Sequence, residues 1–124
     1  MSSSITIMIV DDSTTMRKII KHHLNQLGYA KIVEASNGAE GLKKLDEEDI
    51  NLIICDWNMP EMNGLQFLHA LKERGKNPPV IMLTTVNTEE EVMAALKAGA
   101  TSYITKPFTR DDLKEKIEKI KIEK

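Results

Sequence analysis

Three short runs of almost entirely apolar residues constrain the fold of this chain more than any other feature. They are Ile5 to Val10, Leu52 to Cys55 and Val80 to Leu83. Each has the length of a β-strand, and apolar residues on consecutive positions are typical of strands buried on both faces of a parallel sheet. Two more polar segments, Ala30 to Ala35 and Thr101 to Thr105, are predicted to form edge strands.

Segments with the 3.6-residue period of an amphipathic helix alternate with these strands. They are Met16 to Leu27 before Gly28, Ala39 to Leu45, Leu65 to Leu71 before Gly75, Thr88 to about Gly99, and Thr109 to Ile120. Thr88 with Glu91 has the spacing of a capping box, and Thr109 with Asp112 marks the start of the last helix. The alternation predicts an α/β fold, with one doubly wound parallel sheet and five helices in a single domain spanning 1–124.

Composition limits the cellular compartment in which this chain is expected and the classes of molecule that it could bind. The only cysteine, Cys55, lies in an apolar run and has no second cysteine to pair with, which fits a reducing compartment. The net charge of −2 and the 4% aromatic content argue against a nucleic-acid binder. No apolar run approaches the roughly 20 residues that span a bilayer, and the first residues lack a basic targeting region. We therefore expect a soluble, cytoplasmic protein that binds neither nucleic acid nor membranes.

Polar residues follow the predicted strands at the points where those strands end. Asp11 and Asp12 follow the first strand, Asp56 the third, Thr84 the fourth, and Lys106 the fifth. Ligands of open parallel sheets bind beyond the carboxyl ends of the strands. If the first and third strands are neighbours, three carboxylates crowd one rim, where a cation or protonation must relieve their repulsion.

The residue types at this rim indicate phosphoryl chemistry with a hard cation. Taken singly, each has a plainer interpretation: the aspartates as helix caps, Thr84 as a loop residue and Lys106 as a surface lysine. Taken together, aspartate oxygens without histidine or cysteine favour Mg²⁺ or Mn²⁺ over zinc. A lysine and a threonine could cover the oxygens of a phosphoryl group. An aspartate could then act as the nucleophile and form an acyl phosphate.

The ordered set of these motifs resembles the receiver domain of two-component response regulators, of the stand-alone chemotaxis type. The resemblance is carried by Val10-Asp11-Asp12, Asp56-Trp57-Asn58-Met59-Pro60 with Gly64 beyond it, Thr84-Thr85, and Lys106-Pro107-Phe108. It extends from Ile5 to Ile120. It implies a flavodoxin-like fold with strand order 2-1-3-4-5, and a phosphoacceptor signalling protein rather than an enzyme.

The resemblance also implies a role for each site residue. Asp56 is the phosphoacceptor. Mg²⁺ is ligated by Asp12, Asp56 and the backbone carbonyl of Asn58, while Asp11 assists through water. Lys106 binds the phosphoryl oxygens, with a cis bond to Pro107, and Thr84 and Tyr103 are the switch pair. The implied catalytic residues are thus Asp56, Lys106 and Thr84.

The same resemblance implies the partners. A sensor histidine kinase supplies the phosphoryl group, and a flagellar motor switch protein receives the signal through the fourth helix, fifth strand and fifth helix of a monomer. A phosphorelay shuttle that passes phosphate to a histidine phosphotransfer protein is the alternative, and a phosphatase is a further expected partner.

Val86, two positions after Thr84, stands where the best-known member of the family has an acidic residue. In the family that this chain resembles, that position flanks the attacking water, so the resemblance implies that Val86 affects the lifetime of the phosphorylated state.

Two rival functions fit the motifs less well. A haloacid-dehalogenase-type phosphatase also uses an aspartate nucleophile with Mg²⁺, but it needs a second aspartate two residues after the first. Here Thr14 and Asn58 occupy the positions two after Asp12 and Asp56. A flavodoxin-type FMN binder needs a hydroxyl- and glycine-rich loop after the first strand, where the two aspartates of this chain would repel the phosphate.

Overall fold

Strands and helices alternate along the whole described part of the chain. A computed structural model describes residues 3–59, 61–75, 77–85 and 88–120. The elements are β1 (Ser3–Val10), α1 (Thr14–Gln26), β2 (Tyr29–Ala35), α2 (Gly38–Glu47), β3 (Leu52–Asp56), α3 (Gly64–Arg74), β4 (Val80–Thr84), α4 (Glu89–Lys97), β5 (Ser102–Thr105) and α5 (Arg110–Lys119). None of the described helices is long and apolar enough to cross a membrane.

The five strands form one parallel sheet in the order β2-β1-β3-β4-β5. This confirms the predicted fold class and strand order, and it places the two more polar strands, β2 and β5, at the edges. β2 lies on one side of β1, and β3, β4 and β5 lie on the other, so the strand order reverses between β1 and β3. Val10 pairs with Cys55 there, so Asp11, which follows β1, and Asp56, the last residue of β3, lie side by side.

The sheet separates two hydrophobic cores, because successive side chains of a strand point to opposite faces. In β1, Met8 and Val10 face the core covered by α2, α3 and α4. Ile7 and Ile9 face the core covered by α1 and α5. Every residue of β3 and β4 is buried, as their apolar runs predict.

Local capping agrees with the sequence in most places. Thr109 and Asp112 form a complete capping box at α5. At α4 the predicted capping box is only half formed: Thr88 Oγ1 accepts a hydrogen bond from the Glu91 N–H, but the Glu91 side chain accepts none from the Thr88 N–H. A capping box that the sequence did not single out, between Asn63 and Gln66, starts α3 directly after the loop that follows Asp56. Each of these caps satisfies backbone donors that the first turn of a helix leaves without partners.

Candidate functional site

Three aspartates converge at the carboxyl ends of β1 and β3. Carboxylate oxygens of Asp11, Asp12 and Asp56 all lie within 4.8 Å of one another. Asp11 and Asp56 are buried, with 1% and 5% of their surface exposed, whereas Asp12 is exposed. The predicted cluster of carboxylates therefore forms, because β1 and β3 are neighbours in the sheet.

The Asp11 carboxylate is only half satisfied by protein donors. Its Oδ1 accepts a hydrogen bond of 2.8 Å from the Ser13 N–H, while Oδ2 is buried and has no hydrogen-bond partner among the described residues. Burial raises the pKa of the Asp11 carboxyl, and the charges of Asp56 and Asp12 add to this, while the Ser13 hydrogen bond and the Lys106 charge oppose it. A buried oxygen without a partner, beside two more carboxylates, is the environment that a hard divalent cation stabilises.

Asp56 has a close cationic partner. Lys106 Nζ lies 2.7 Å from Asp56 Oδ1, and both side chains are mostly buried, at 18% and 7% exposed. Lys106 follows the edge strand β5, and its backbone N–H donates a 2.7 Å hydrogen bond to the Thr84 carbonyl oxygen. The Lys106–Pro107 bond is cis, as the resemblance implied. The lysine therefore reaches past the end of β4 to the end of β3.

The loop after Asp56 is anchored at several points. The Trp57 N–H donates to the Leu83 carbonyl oxygen, the Gly64 N–H donates to the Trp57 carbonyl oxygen, and Met59 is buried in the core. Asn58 lies between these anchors and is exposed. The two loop residues on which sequence expectations also depended, Pro60 and Val86, lie outside the described residues.

Thr84 and Tyr103 line one small cavity between β4, β5 and α4. Its volume is about 10 Å³, roughly the space of a single water, and its walls also include Trp57, Met82 and Ala95. Thr84 is buried with 6% of its surface exposed, and Tyr103 is half-buried. The two residues predicted to act as a pair thus share one space that a moving side chain could fill.

Sequence reasoning missed two basic residues near the site. Lys116 of α5 holds its Nζ 5.5 Å from the centroid of the Tyr103 ring, within the range of a cation–π contact. Its position three residues after the buried Leu113, at the margin of the apolar face, was the available signal. Arg17 of α1 contacts the backbone of Asp11 and the side chain of Glu34. No spacing rule connects an arginine on α1 with a glutamate on β2.

Comparison with known proteins identifies similar chains over nearly the full length. The family model described as a response regulator receiver domain matches residues 7–118. Chemotaxis protein CheY1 of Helicobacter pylori is 50% identical over 115 residues, covering 90% of this chain and 93% of that protein. Chemotaxis protein CheY of Pseudomonas aeruginosa is 44% identical over 116 residues, covering 92% and 94%. The crystal structure of Vibrio cholerae chemotaxis protein CheY4, at 31% identity, superposes with a TM-score of 0.87 and covers 96% of this chain and 100% of that one.

Proposed function

This chain belongs to the family of response regulator receiver domains, and we propose that it accepts a phosphoryl group on Asp56 from a sensor histidine kinase. Its similarity to chemotaxis proteins, whose length it covers almost completely, supports a role as a single-domain response regulator in chemotaxis. One observation carries the proposal for Asp56: its carboxylate lies 2.7 Å from Lys106 Nζ inside a cluster of three carboxylates. An aspartate that only capped a helix would require neither a lysine partner nor two neighbouring carboxylates.

The transfer uses an oxygen of the Asp56 carboxylate as the nucleophile. This oxygen attacks the phosphorus of a phosphohistidine, a new O–P bond forms, and the P–N bond breaks as the kinase histidine leaves with its electron pair. The Lys106 ammonium offsets the charge on the phosphoryl oxygens, and the Thr84 hydroxyl donates to one of them. Because Asp56 and Thr84 are almost fully buried, these electrostatic contacts act with little screening by water.

The same oxygen-rich cluster fits Mg²⁺, with Mn²⁺ as a substitute. We assign as ligands the carboxylates of Asp12 and Asp56 and the backbone carbonyl of Asn58, with Asp11 assisting through water. The buried, unpartnered Oδ2 of Asp11 supports a cation here. When bound, the cation offsets negative charge on the phosphoryl oxygens and on the clustered carboxylates.

The change in partner binding that follows phosphorylation depends on the cavity that Thr84 shares with Tyr103. Phosphorylation of Asp56 draws the Thr84 hydroxyl toward the phosphoryl group, and the Tyr103 ring moves into the space released. The charge added at Asp56 thereby shifts the equilibrium between two positions of the Tyr103 side chain. The surface formed by α4, β5 and α5, on which Met93 and Leu96 are exposed, is the proposed output surface.

The proposed partners follow from the family and the relatives. The kinase supplies the phosphoryl group in the cytoplasm, a flagellar motor switch protein reads the output surface of the monomer, and a phosphatase ends the signal. A histidine phosphotransfer protein as the receiver would instead make this chain a phosphorelay shuttle. The chain binds neither nucleic acid nor membranes in this proposal.

Acetyl phosphate provides a kinase-independent test of the acceptor. Incubation with acetyl phosphate and Mg²⁺ should add one base-labile, hydroxylamine-sensitive phosphoryl group, measured by intact mass. Asp56→Asn should abolish the addition, because an amide is not a nucleophile of this kind. The matched control, Asp49→Asn, removes an exposed carboxylate elsewhere and should leave labelling unchanged. Full labelling of Asp56→Asn would disprove the assignment, and labelling unchanged by EDTA would contradict the metal requirement.

The output role of Tyr103 is tested with purified proteins. Phosphorylated wild type should bind the immobilised flagellar motor switch protein more tightly than unphosphorylated wild type does. Tyr103→Ala should lose this difference while still accepting phosphate. Equal phosphate-dependent binding by wild type and Tyr103→Ala would refute the switch role. Transfer of the phosphoryl group to a purified histidine phosphotransfer protein, without binding to the motor protein, would favour the relay.

A further inference from the structure

Arg17 joins three parts of the structure next to the acidic cluster. Its Nη1 donates a 2.6 Å hydrogen bond to the Asp11 carbonyl oxygen, and its Nε donates a 3.1 Å hydrogen bond to Glu34 Oε1 at the end of β2. A longer contact of 3.3 Å joins Nη2 to Thr14 Oγ1. Only 14% of the Arg17 side chain is exposed, compared with 46% for Lys21, which also approaches Glu34. The planar guanidinium is suited to such a role because its donors are fixed relative to one another.

The Asp11 backbone is consequently held on both sides. Its N–H donates to the Ala35 carbonyl oxygen at 3.0 Å, which continues the β1–β2 pairing, and its carbonyl oxygen accepts from Arg17. That carbonyl belongs to the peptide unit between Asp11 and Asp12. The orientation of this unit determines where the exposed Asp12 side chain leaves the backbone relative to Asp56.

Compensation of the charge of the acidic cluster does not account for Arg17. Its guanidinium forms an ion pair with Glu34 at 3.1 Å, and no salt bridge within the described part of the chain joins it to the carboxylates of Asp11, Asp12 or Asp56. A positive charge close to a cation site would in any case oppose cation binding.

We propose that Arg17 is a positioning residue, which holds the Asp11–Asp12 peptide unit in the orientation that brings the aspartates together around a divalent cation. The inference rests on the proposed function in one respect, that the acidic cluster binds Mg²⁺ or Mn²⁺. It assigns no contact between Arg17 and the cation or the phosphoryl group.

Arg17 could act on the cation site by positioning the backbone or by its charge. These two explanations predict changes of opposite sign in metal affinity when Arg17 is replaced. Removal of a nearby positive charge should tighten cation binding, whereas loss of positioning should weaken it. We expect Arg17→Met to bind Mn²⁺ about tenfold more weakly than wild type, as is found when other groups that support metal ligands are removed. The measurement is a MnCl₂ titration of the full chain, followed by the EPR signal of free Mn²⁺.

Two variants on the same helix serve as matched controls. Lys18→Met removes an exposed charge, and Lys21→Met removes the second cation near Glu34; neither residue contacts Asp11. Both should bind Mn²⁺ as tightly as wild type or slightly more tightly. Arg17→Lys keeps the charge but loses the fixed pair of donors, so it should recover little of the affinity.

The phosphorylation reaction provides a second measurement. With acetyl phosphate, Arg17→Met should need about tenfold more Mg²⁺ for its half-maximal rate, yet approach the wild-type rate when Mg²⁺ saturates. Circular dichroism at the assay temperature verifies that the variant remains folded. A purely structural defect would lower the amount of active protein and leave the half-saturating Mg²⁺ concentration unchanged.

Each result decides between the alternatives. Unchanged or tighter Mn²⁺ binding by Arg17→Met overturns the positioning role, and so does full recovery by Arg17→Lys, which would show that the fixed pair of guanidinium donors is not required. If wild type itself binds no Mn²⁺, the proposed metal-dependent function fails as well. If wild type binds and the variants match it, only the inference about Arg17 fails.

Discussion

Asp11 shows at the scale of one residue how a site can oppose the stability of the fold that carries it. Its carboxyl is buried beside two other carboxylates, and only one of its oxygens has a hydrogen-bond donor among the described residues. Burial and like charge both disfavour the ionised form in this position. The chain tolerates this arrangement, and the proposed cation site accounts for it, whereas folding alone does not.

Asp11→Asn should therefore stabilise the metal-free protein. The amide is neutral, its oxygen can still accept from the Ser13 N–H, and its NH₂ group can donate to a neighbouring carboxylate. We expect the free energy of unfolding in EDTA to rise by about 1 kcal/mol, measured by urea denaturation at pH 7.5. Asp49→Asn, the exposed control, should change it by less than about 0.5 kcal/mol. A less stable Asp11→Asn would contradict this account.

His23 provides a pH dependence that is independent of the acidic cluster. Its ring packs edge-on against Phe108, with 6.1 Å between centroids, and its Nδ1 is buried without a partner among the described residues. Burial lowers the pKa of His23, and the charges of His22 and Arg110 act in the same direction. In the unfolded chain the ring binds a proton near pH 6.5, while in the folded chain it stays neutral to lower pH. Protonation therefore favours the unfolded state.

The free energy of unfolding should fall as the pH drops through 6.5, the pKa expected in the unfolded chain, and level off below the lower pKa of the folded state. His23→Gln should make this part of the curve flatter, because the variant has no ring to protonate. His22→Gln, on the exposed neighbour, should retain most of the slope. Urea denaturation in EDTA over this pH range measures all three proteins, and parallel curves for wild type and His23→Gln would refute the role of His23.

At the scale of an element, the β3–α3 connection is held by the close approach of backbone to backbone. A Cβ atom on Gly64, the first residue of α3, would come within 2.9 Å of Trp57 Cα and 3.0 Å of the Asp56 carbonyl oxygen. It would also contact the end of the Met82 side chain. Neither backbone atom can move without displacing the residue proposed to accept phosphate.

Gly64→Ala should destabilise the protein by about 2 kcal/mol, the usual cost of an added methyl group in a packed site. Gly38→Ala is the matched control, since Gly38 is likewise the first residue of its helix but the three atoms nearest to its Cβ would all belong to the flexible side chain of Met62. That variant should lie within about 0.5 kcal/mol of wild type. Urea denaturation followed by Trp57 fluorescence compares them, and equal stabilities would show that the loop can yield.

The elements also show where pattern reasoning succeeds. The buried strands β1, β3 and β4 were predicted from consecutive apolar residues, and the structure buries them on both faces. The edge strands were recognised from their greater polarity, but β2 begins one residue earlier and β5 one residue later than predicted. Strand ends depend on hydrogen bonds to a neighbouring strand, which hydropathy does not report.

At the scale of the whole molecule, the cluster exists only in the folded chain. Asp12 and Asp56 are far apart in sequence and meet only because β1 and β3 pair in parallel. Mg²⁺ should therefore stabilise the folded state, by about 2.7 kcal/mol at a concentration 100 times the dissociation constant. Thermal denaturation with MgCl₂ or with NaCl of equal ionic strength measures this. Asp12→Asn should reduce the difference, and equal stabilisation by the two salts would contradict a specific site.

The sequence by itself determined the order of strands and helices, the burial of the central strands and the identity of the residues at their carboxyl ends. These properties depend on local hydropathy and on the parallel-sheet rule that gathers strand ends at one edge. Three contacts were decided only by the tertiary structure. Arg17 donates a hydrogen bond to the Asp11 carbonyl oxygen, Lys116 lies over the Tyr103 ring, and Gly64 lies close to the Asp56 backbone. Such contacts depend on how helices pack against the sheet to within an ångström. Side-chain packing sets that geometry, and no periodicity along the chain encodes it.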